Sequence, residues 1–547
     1  MAPLFFKRIK TDELRFDRKT DIYEFFLLSF ILLVLIFFLI LFFRLFQLTI
    51  IKNAYYKRLA ETNRTREILI EPQRGKILDR KGLILVRNLP VEIQSDKSRL
   101  ISKRVYYEGE ALAHLIGYRA LADSLDIKND YCLNKIKLGD KVGKKGVEAL
   151  FDCQLRGVAG KKLVEINAQG KLLRTIALIS PKNGTDLKLA LDWRIQKKAY
   201  ELIKDKKGAV VGIVPKTGEV LVFVSSPSFN PQIFENGEKE TITQLLNNKD
   251  KPLFNRASEG EYPPGSVFKL VVAAAALEEK VINEKTQFED KGILRLGSLT
   301  FGNWYYLQYG KTEGLVDVVK AIQRSNDTFF YQVGGKLGED KIKKWAEIFG
   351  LGKRTGIGTE EKEGLVPSSF WKEDRLMESW YLGDTYNLSI GQGYLLTTPL
   401  QIAVLTAVFA NDGYLCRPQI LKQEKTETGH IISLPGCQKL PLSQKTLNLV
   451  KEGMKKACSP GGTGWPLFNF KVNLSDKKTQ IIETACKTGT AESQSKDSLP
   501  HAWITVFAPF DNPEIVLTVF LENAGQGSDE AGPIAKEILK EYFERKE

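Results

Sequence analysis

Histidine is nearly missing from this chain. There are three in 547 residues, His114, His430 and His501, and they lie far apart. The six cysteines, Cys132, Cys153, Cys416, Cys437, Cys458 and Cys486, are scattered, with no C-x-x-C pair among them. A zinc site needs clustered Cys and His ligands, so none is supported, and no metal or other cofactor is expected. The basic-aromatic motifs of nucleic-acid binders are also missing, which removes nucleic acid as a partner. The Gly- and Lys-rich stretch "GDKVGKKGVEALF", residues 139–151, lacks the Walker spacing and its Ser/Thr, so it reads as a loop entering a helix. No internal repeat or low-complexity tract is present.

Charge is absent from one long run, "FFLLSFILLVLIFFLILFF", residues 25–43. Nineteen such residues are about what a bilayer core requires. A cleaved signal peptide has a shorter apolar region and a small-residue cleavage site; here Arg44 and "LFQLTIIKNAYY" follow, so the run is read as an uncleaved transmembrane helix. Six Lys or Arg precede it and four lie in the twenty residues after Arg44. That asymmetry places residues 1–24 in the cytoplasm and the bulk of the chain outside, as a single-pass protein of the inner (cytoplasmic) membrane facing the periplasmic side. The formal charge of +14, from 80 basic and 66 acidic residues, suits anionic partners such as phospholipid or pyrophosphate-bearing substrates. In an extracytoplasmic domain Cys416 and Cys437 can pair.

Residues 64–88 alternate short β-like runs with turns, "DRKG" being one of the turns, and "KKLVEINAQGKLL" reads as a hairpin. A helix is expected over 108–120. The whole stretch 50–185 is therefore a strand-rich module. From 192 the pattern changes: "DWRIQKKAYELIKDK" has helical spacing behind an Asp. "GAVVGIVPKTGEVLVFVS" is a hairpin turning at Pro-Lys-Thr-Gly. "TQIIETACKTGTA", "HAWITVFAP" and "EIVLTVFLEN" are three more β-runs, followed by a helix over 531–546. Two strands near 210–225 and three near 480–522 can form one five-stranded antiparallel sheet. The mostly helical middle, 260–475, then covers its faces, giving an α+β domain over 186–547.

Ser-x-x-Lys occurs four times, at Ser266, Ser369, Ser475 and Ser493. Of the four, Ser266 alone opens a long apolar helical run, "VFKLVVAAAALEE". On a helix, residues three apart share a face, so Lys269 stands beside Ser266. The helix N-terminus favours an oxygen that must become negative. A serine needs such help, and a lysine acts as its base only if burial or a nearby cation depresses its pKa. Lys216-Thr217-Gly218 is accounted for by the hairpin turn. Lys487-Thr488-Gly489 instead ends a β-run and is followed by Thr490; a strand edge of this kind can hold a carboxylate and an extended peptide. By strand alternation Cys486 points away from Lys487, into the core. "RSNDTFFYQVG" puts Ser325 and Asp327 at the start of another helical segment.

Ser-x-x-Lys, Ser-x-Asp/Asn and Lys-Thr-Gly, in that order, form the penicillin-recognising signature. With it, the chain resembles the class B penicillin-binding proteins, monofunctional peptidoglycan D,D-transpeptidases. "PQRGKILDRKGLIL" is similar to the family's membrane-proximal element, and "GKKGVEALFDCQLRG" and "NAQGK" resemble its pedestal, here 50–185. "FNRASEGEYPPGSVFK", "GLVPSSFWK", "GDTYNLSIGQGYLLTTPLQ" and "TACKTGTAE" resemble successive parts of its penicillin-binding transpeptidase domain. Asp327 resembles the elongation-type branch; division-type relatives usually carry Asn there. The chain departs from the family at Val214, where Asp before Pro is usual. In 281–310 it lacks the His and Cys of the zinc site some relatives have.

The resemblance implies roles. Ser266 attacks the penultimate D-alanine carbonyl of a donor stem peptide ending in D-Ala-D-Ala. Lys269 takes its proton, and the backbone N–H groups of Ser266 and Thr490 form the oxyanion hole. Ser325 passes a proton to the leaving D-alanine, and Asp327 orients Lys269 or the donor. Lys487 adds positive potential, while Thr488, Gly489 and Thr490 border the bound carboxylate. β-Lactams mimic the donor and stall at the acyl stage. A Rod-type multi-pass glycan polymerase and its elongation complex are the implied partners. A division-type transpeptidase, a β-lactam hydrolase or sensor, a carboxypeptidase and a non-catalytic polymerase activator are the alternatives. The complete trio weighs against the last.

Overall fold

A computed structural model describes residues 18–91, 99–167, 169, 171–422, 436–473, 479–493 and 498–544. Most of the 1–24 segment, His430, Ser475, and part of the "NAQGK" turn lie outside them.

The charge-free run forms a continuous helix, Arg18–Phe46. With the turn that follows it spans Ile22–Ile51, and its most apolar 18-residue window has a mean hydropathy of 3.3 with no buried residue. Its apolar residues surround the whole helix, as lipid-facing residues do. At 1.5 Å per residue a 29-residue helix is about 44 Å long, more than a bilayer core needs. The chain divides into two compact units, residues up to Ile70 with Gly160–Ser180, and Glu71–Ala159 with Pro181–Glu547.

In the first unit a second helix, Asn53–Arg64, leads into strand Thr65–Ile70. That strand pairs antiparallel with Gly160–Ile166, which pairs in turn with Leu172–Ile179, the expected hairpin. All eight residues of Leu172–Ile179 are exposed, five of them large and apolar: Leu172, Leu173, Ile176, Leu178 and Ile179.

The second unit is built on a five-stranded sheet ordered Val220–Ser226, Gly208–Ile213, Ile515–Leu521, His501–Ala508, Ala485–Ala491. Every neighbouring pair is antiparallel. Alternation along these strands feeds two cores. Val210, Val222 and Val519 pack with Ile195, Ala199, Ile538 and Leu539 of the helices Trp193–Ile203 and Gly532–Glu544. Ala209, Val211 and Phe507 pack with Leu270, Val271 and Leu405 of Lys269–Glu278 and Pro399–Ala410. Helices thus cover both faces. Asp192 caps Trp193–Ile203, its carboxylate accepting the Arg194 N–H at 3.1 Å.

Two elements differ from the pattern reading. The helix expected over 108–120 is Gly109–Ile116, because Gly117 turns to φ +75° against the Lys145 carbonyl, and a strand, Arg119–Leu121, follows. The β-run "TQIIETACKTGTA" divides in two. Thr479–Ile481 pairs with Lys471–Asn473, whereas Ala485–Ala491 joins the main sheet. Between them Ile482 donates to Phe470 and Glu483 accepts from Phe510, so the backbone changes partners there.

All six cysteines are in disulfides: Cys132–Cys153, Cys416–Cys437 and Cys458–Cys486. Cys416 and Cys437 face one another in a two-stranded ladder, the pairing raised from sequence. The other two bridges join cysteines that sequence did not connect.

Candidate active site

Ser266 lies in a single 3-10 turn, Gly265–Phe268, that runs directly into the apolar helix Lys269–Glu278. The sequence before it is chosen for close approach. Gly265 has φ +55°, and a Cβ there would sit 2.8 Å from the Thr490 carbonyl oxygen. The Trp503 indole donates to Pro263 O at 3.1 Å. A Cβ on Gly489 would press on Pro264 O at 3.0 Å. Gly489 thus lets the serine turn seat against the strand Ala485–Ala491, the edge of the sheet. Ser266 remains partly exposed and lines an open cleft of about 530 Å³.

Lys269 is fully buried beneath that serine. Its Nζ donates to Asp327 Oδ1 at 2.6 Å and Ser325 O at 2.8 Å, with Ser325 Oγ at 3.4 Å. Lys487, also fully buried, donates to Ser325 Oγ at 2.8 Å and Thr488 O at 2.8 Å. Two lysines from distant parts of the chain therefore converge on one hydroxyl. Among the described residues Ser266 Oγ makes no hydrogen bond; it sits in the turn and Lys269 is the first residue of the helix that follows. Apo sites commonly leave such contacts to tighten with substrate.

Ser325 does not start a helix, as its pattern suggested. It ends the preceding one, Val318–Arg324, in the left-handed region at φ +54°. Asn326 is the cap of the next helix, Asp327–Leu337, its side chain accepting the Phe329 N–H at 2.8 Å. The reversal turns the Ser325 hydroxyl to both lysines.

Burial dominates the electrostatics. It pushes the Lys269 pKa below the ordinary lysine value, with the Asp327 carboxylate pulling the other way. Lys487 is driven well below, by burial first and then by the charge of Lys269. Two fully buried ammonium groups that share the Ser325 hydroxyl cannot both keep a proton cheaply. The site therefore holds amines able to take and return protons.

Thr488 and Thr490 line the cleft with Ser266, Ser325 and Asp327. Thr488 Oγ1 donates to Thr463 Oγ1 at 2.7 Å. The Cys458–Cys486 disulfide ties the end of helix Gln444–Ala457 to the residue before Lys487. Cys486 is in the core, on the face opposite Lys487, as alternation required. The structure thus brings all eight candidate residues to one place, with Gly489 packed under the serine turn and not facing the cleft. Ser369 is elsewhere, and its Lys372 is paired with Asp384 at 2.9 Å.

Sequence reasoning missed Asp290. Its buried carboxylate accepts five donors: Gly292 N (2.8 Å), Asn303 Nδ2 (2.8 Å), Glu313 N (3.1 Å), Asn326 Nδ2 (2.9 Å) and Thr328 Oγ1 (2.8 Å). Asn303 Oδ1 then accepts Asp327 N at 3.0 Å, and Trp304 N donates to Asp327 Oδ2 at 2.9 Å. One carboxylate therefore fixes both the cap residue of the Asp327 helix and the loop that orients Asp327. Asp290→Asn swaps an acceptor for an amide that must point donors at donors. We expect it to lower stability by about 3 kcal/mol in urea unfolding; an unchanged midpoint would show that the cluster carries no weight.

Comparison with known proteins gives concordant findings. The family model described as penicillin binding protein transpeptidase domain matches residues 208–540, and that of the penicillin-binding protein dimerisation domain matches 91–189. The peptidoglycan D,D-transpeptidase MrdA of Haemophilus influenzae is 35% identical over 466 residues, 81% of this chain and 70% of that protein. A solved complex between PBP2 and MreC from Helicobacter pylori is similar with a TM-score of 0.74 and 27% identity, over 88% of this chain and 98% of that one. A chain from a structure described as structural coordination of polymerization and crosslinking by a peptidoglycan synthase complex has a TM-score of 0.75 and 29% identity, over 96% and 98%.

Proposed function

Given that the chain belongs to the penicillin-binding protein transpeptidase family, we propose that it cross-links peptidoglycan stem peptides as an elongation-type D,D-transpeptidase, through an acyl-enzyme on Ser266. The carrying observation is the buried meeting of Lys269, Lys487 and Asp327 around Ser325, directly below a cleft-lining serine.

In the proposed reaction Ser266 Oγ attacks the carbonyl of the penultimate D-alanine and its proton passes to Lys269. The N–H groups of Ser266 and Thr490 hold the oxyanion, a contribution of roughly 3 kcal/mol per donor in acyl-transfer enzymes. The C–N bond breaks as Ser325, held by Lys487, delivers a proton to the departing D-alanine amine. Thr488 and Thr490 hold the terminal carboxylate. An amine of a second stem peptide then attacks the ester, loses a proton to the same relay, and releases Ser266 with a new peptide bond. β-Lactams enter the same path and stop at the ester.

The apolar helix is compatible with a single-pass anchor. We place the catalytic part on the outer side of the cytoplasmic membrane. Three disulfides support that side, since such bonds persist in oxidising compartments. We also propose residues 50–185 as the pedestal and a Rod-type glycan polymerase with its elongation complex as the partner. Support comes from the two assemblies among the structural neighbours and from the exposed apolar strand Leu172–Ile179, the kind of surface that interaction sites expose.

The test is reconstitution of the full chain in detergent with a glycan polymerase and a lipid-linked pentapeptide precursor, followed by muramidase digestion. Cross-linked dimers and free D-alanine are expected in stoichiometric amounts. D-Alanine without dimers would convert the reading to a carboxypeptidase.

A further inference from the structure

Two carboxylates line the catalytic cleft among the described residues, Asp327 and Glu492. Asp327 is committed to Lys269 and the Trp304 N–H. Glu492 is exposed, and among the described residues its carboxylate has no hydrogen bond or ion pair. Its charge nonetheless reaches across the cleft: the hydroxyl of Tyr331, which also lines it, is held protonated by burial first, then by Asp327 and Glu492.

Its place just past the end of the strand gives that charge a meaning. Thr488 and Thr490 share one face of Ala485–Ala491, Glu492 is the first residue after that strand, and all three line the cleft. Thr488 and Thr490 are about 6.6 Å apart along the strand, at roughly 3.3 Å per residue, and the chain leaves the strand in the direction of Glu492. Ala485–Ala491 is the sheet's edge, open to an extended peptide. On the transpeptidase reading, on which this inference rests, the donor's terminal carboxylate sits at Thr488 and its scissile carbonyl at the Ser266 and Thr490 N–H groups. The donor then runs along the edge past Thr490, and the residue preceding its two D-alanines comes beside Glu492.

We propose that Glu492 is a specificity-determining residue that recognises a positively charged side chain on that residue of the donor, the free amine of a diamino acid. A donor whose amine has already been acylated in an earlier cross-link is neutral there and loses the contact. Peptides not yet linked are selected as donors.

The test compares two depsipeptide donors on the full-length chain in detergent, Nα-acetyl-L-lysyl-D-alanyl-D-lactate and its Nε-acetylated form, by kcat/KM for lactate release. The wild type is expected to prefer the free amine by about fivefold, the scale of one exposed ion pair. Glu492→Gln is expected to remove the preference, Glu492→Asp to keep most of it, and Glu492→Lys to invert it. Because the readout is a ratio, a loss of folded enzyme affects both donors equally. A preference that persists in Glu492→Gln, or is absent from the wild type, overturns the inference. So does turnover of neither donor by a chain that fluorescent penicillin labels. If the wild type is not labelled by penicillin at all, the transpeptidase reading has failed, and this inference falls with it.

Discussion

Replacing Ser266 by Ala is expected to abolish covalent labelling by a fluorescent penicillin, with acylation falling by about 10⁶-fold, the scale seen when a catalytic serine is removed from a nucleophilic enzyme. The wild type should carry label that survives denaturing electrophoresis and persists for many minutes in a chase. Among the described residues Ser266 is the one Ser-x-x-Lys serine that lines the cleft, three residues before a lysine buried with a second lysine and a carboxylate. Ser325 shares the cleft, but its hydroxyl is engaged by Lys487 at 2.8 Å. Label surviving in Ser266→Ala would identify Ser325 or another residue as the nucleophile. Label that vanishes within seconds in the wild type would instead identify a hydrolase.

Removing Lys269 should cost about half as much in activation free energy. Lys269→Ala is expected to lower the acylation rate by about 10³-fold, typical for a general base. Lys269→Arg should fare no better, because a guanidinium does not deprotonate in this range. The pH profile carries the sharper prediction. Burial lowers the Lys269 pKa and Asp327 opposes it. The neutral amine, the form that accepts a proton, accumulates as pH rises through that lowered value. The acylation rate should therefore climb with pH on a limb below that of an ordinary lysine, near about 10.4. Asp327→Asn deletes the charge that holds the proton on, so the limb should move to lower pH while the plateau rate drops. A limb displaced upward in Asp327→Asn, measured as kcat/KM for penicillin acylation across pH, would exclude Lys269 as the titrating base.

What the sequence made legible was local. Nineteen uncharged residues specify a helix without help from elsewhere. Alternating runs near 210–225 and 480–522 gave the five-stranded sheet, because period two is a property of each strand alone. Ser266 and Lys269 were readable because three residues on a helix fix their own geometry. Long-range partners were not readable. Alternation placed Cys486 in the core but could not name Cys458, 28 residues earlier, as its bridge. Asp290 in "FEDKG" looks like a turn residue; its donors come from positions 292, 303, 313, 326 and 328, brought together only by the fold. The division of "TQIIETACKTGTA" into two strands depended likewise on Phe470 and Phe510.

The left-handed backbone at Ser325 also restricts which residues can ever occupy that position. The relay role proposed for it asks for a hydroxyl between two lysines, a need that threonine meets on paper. At φ +54° a β-branched side chain crowds its own backbone, a conformation few such residues adopt. Glycine and asparagine tolerate the backbone but bring no hydroxyl. The proposed proton relay and the chain reversal, two unrelated demands, intersect on a single amino acid, so the replacement that looks most conservative at Ser325 is barred by conformation and not by reactivity.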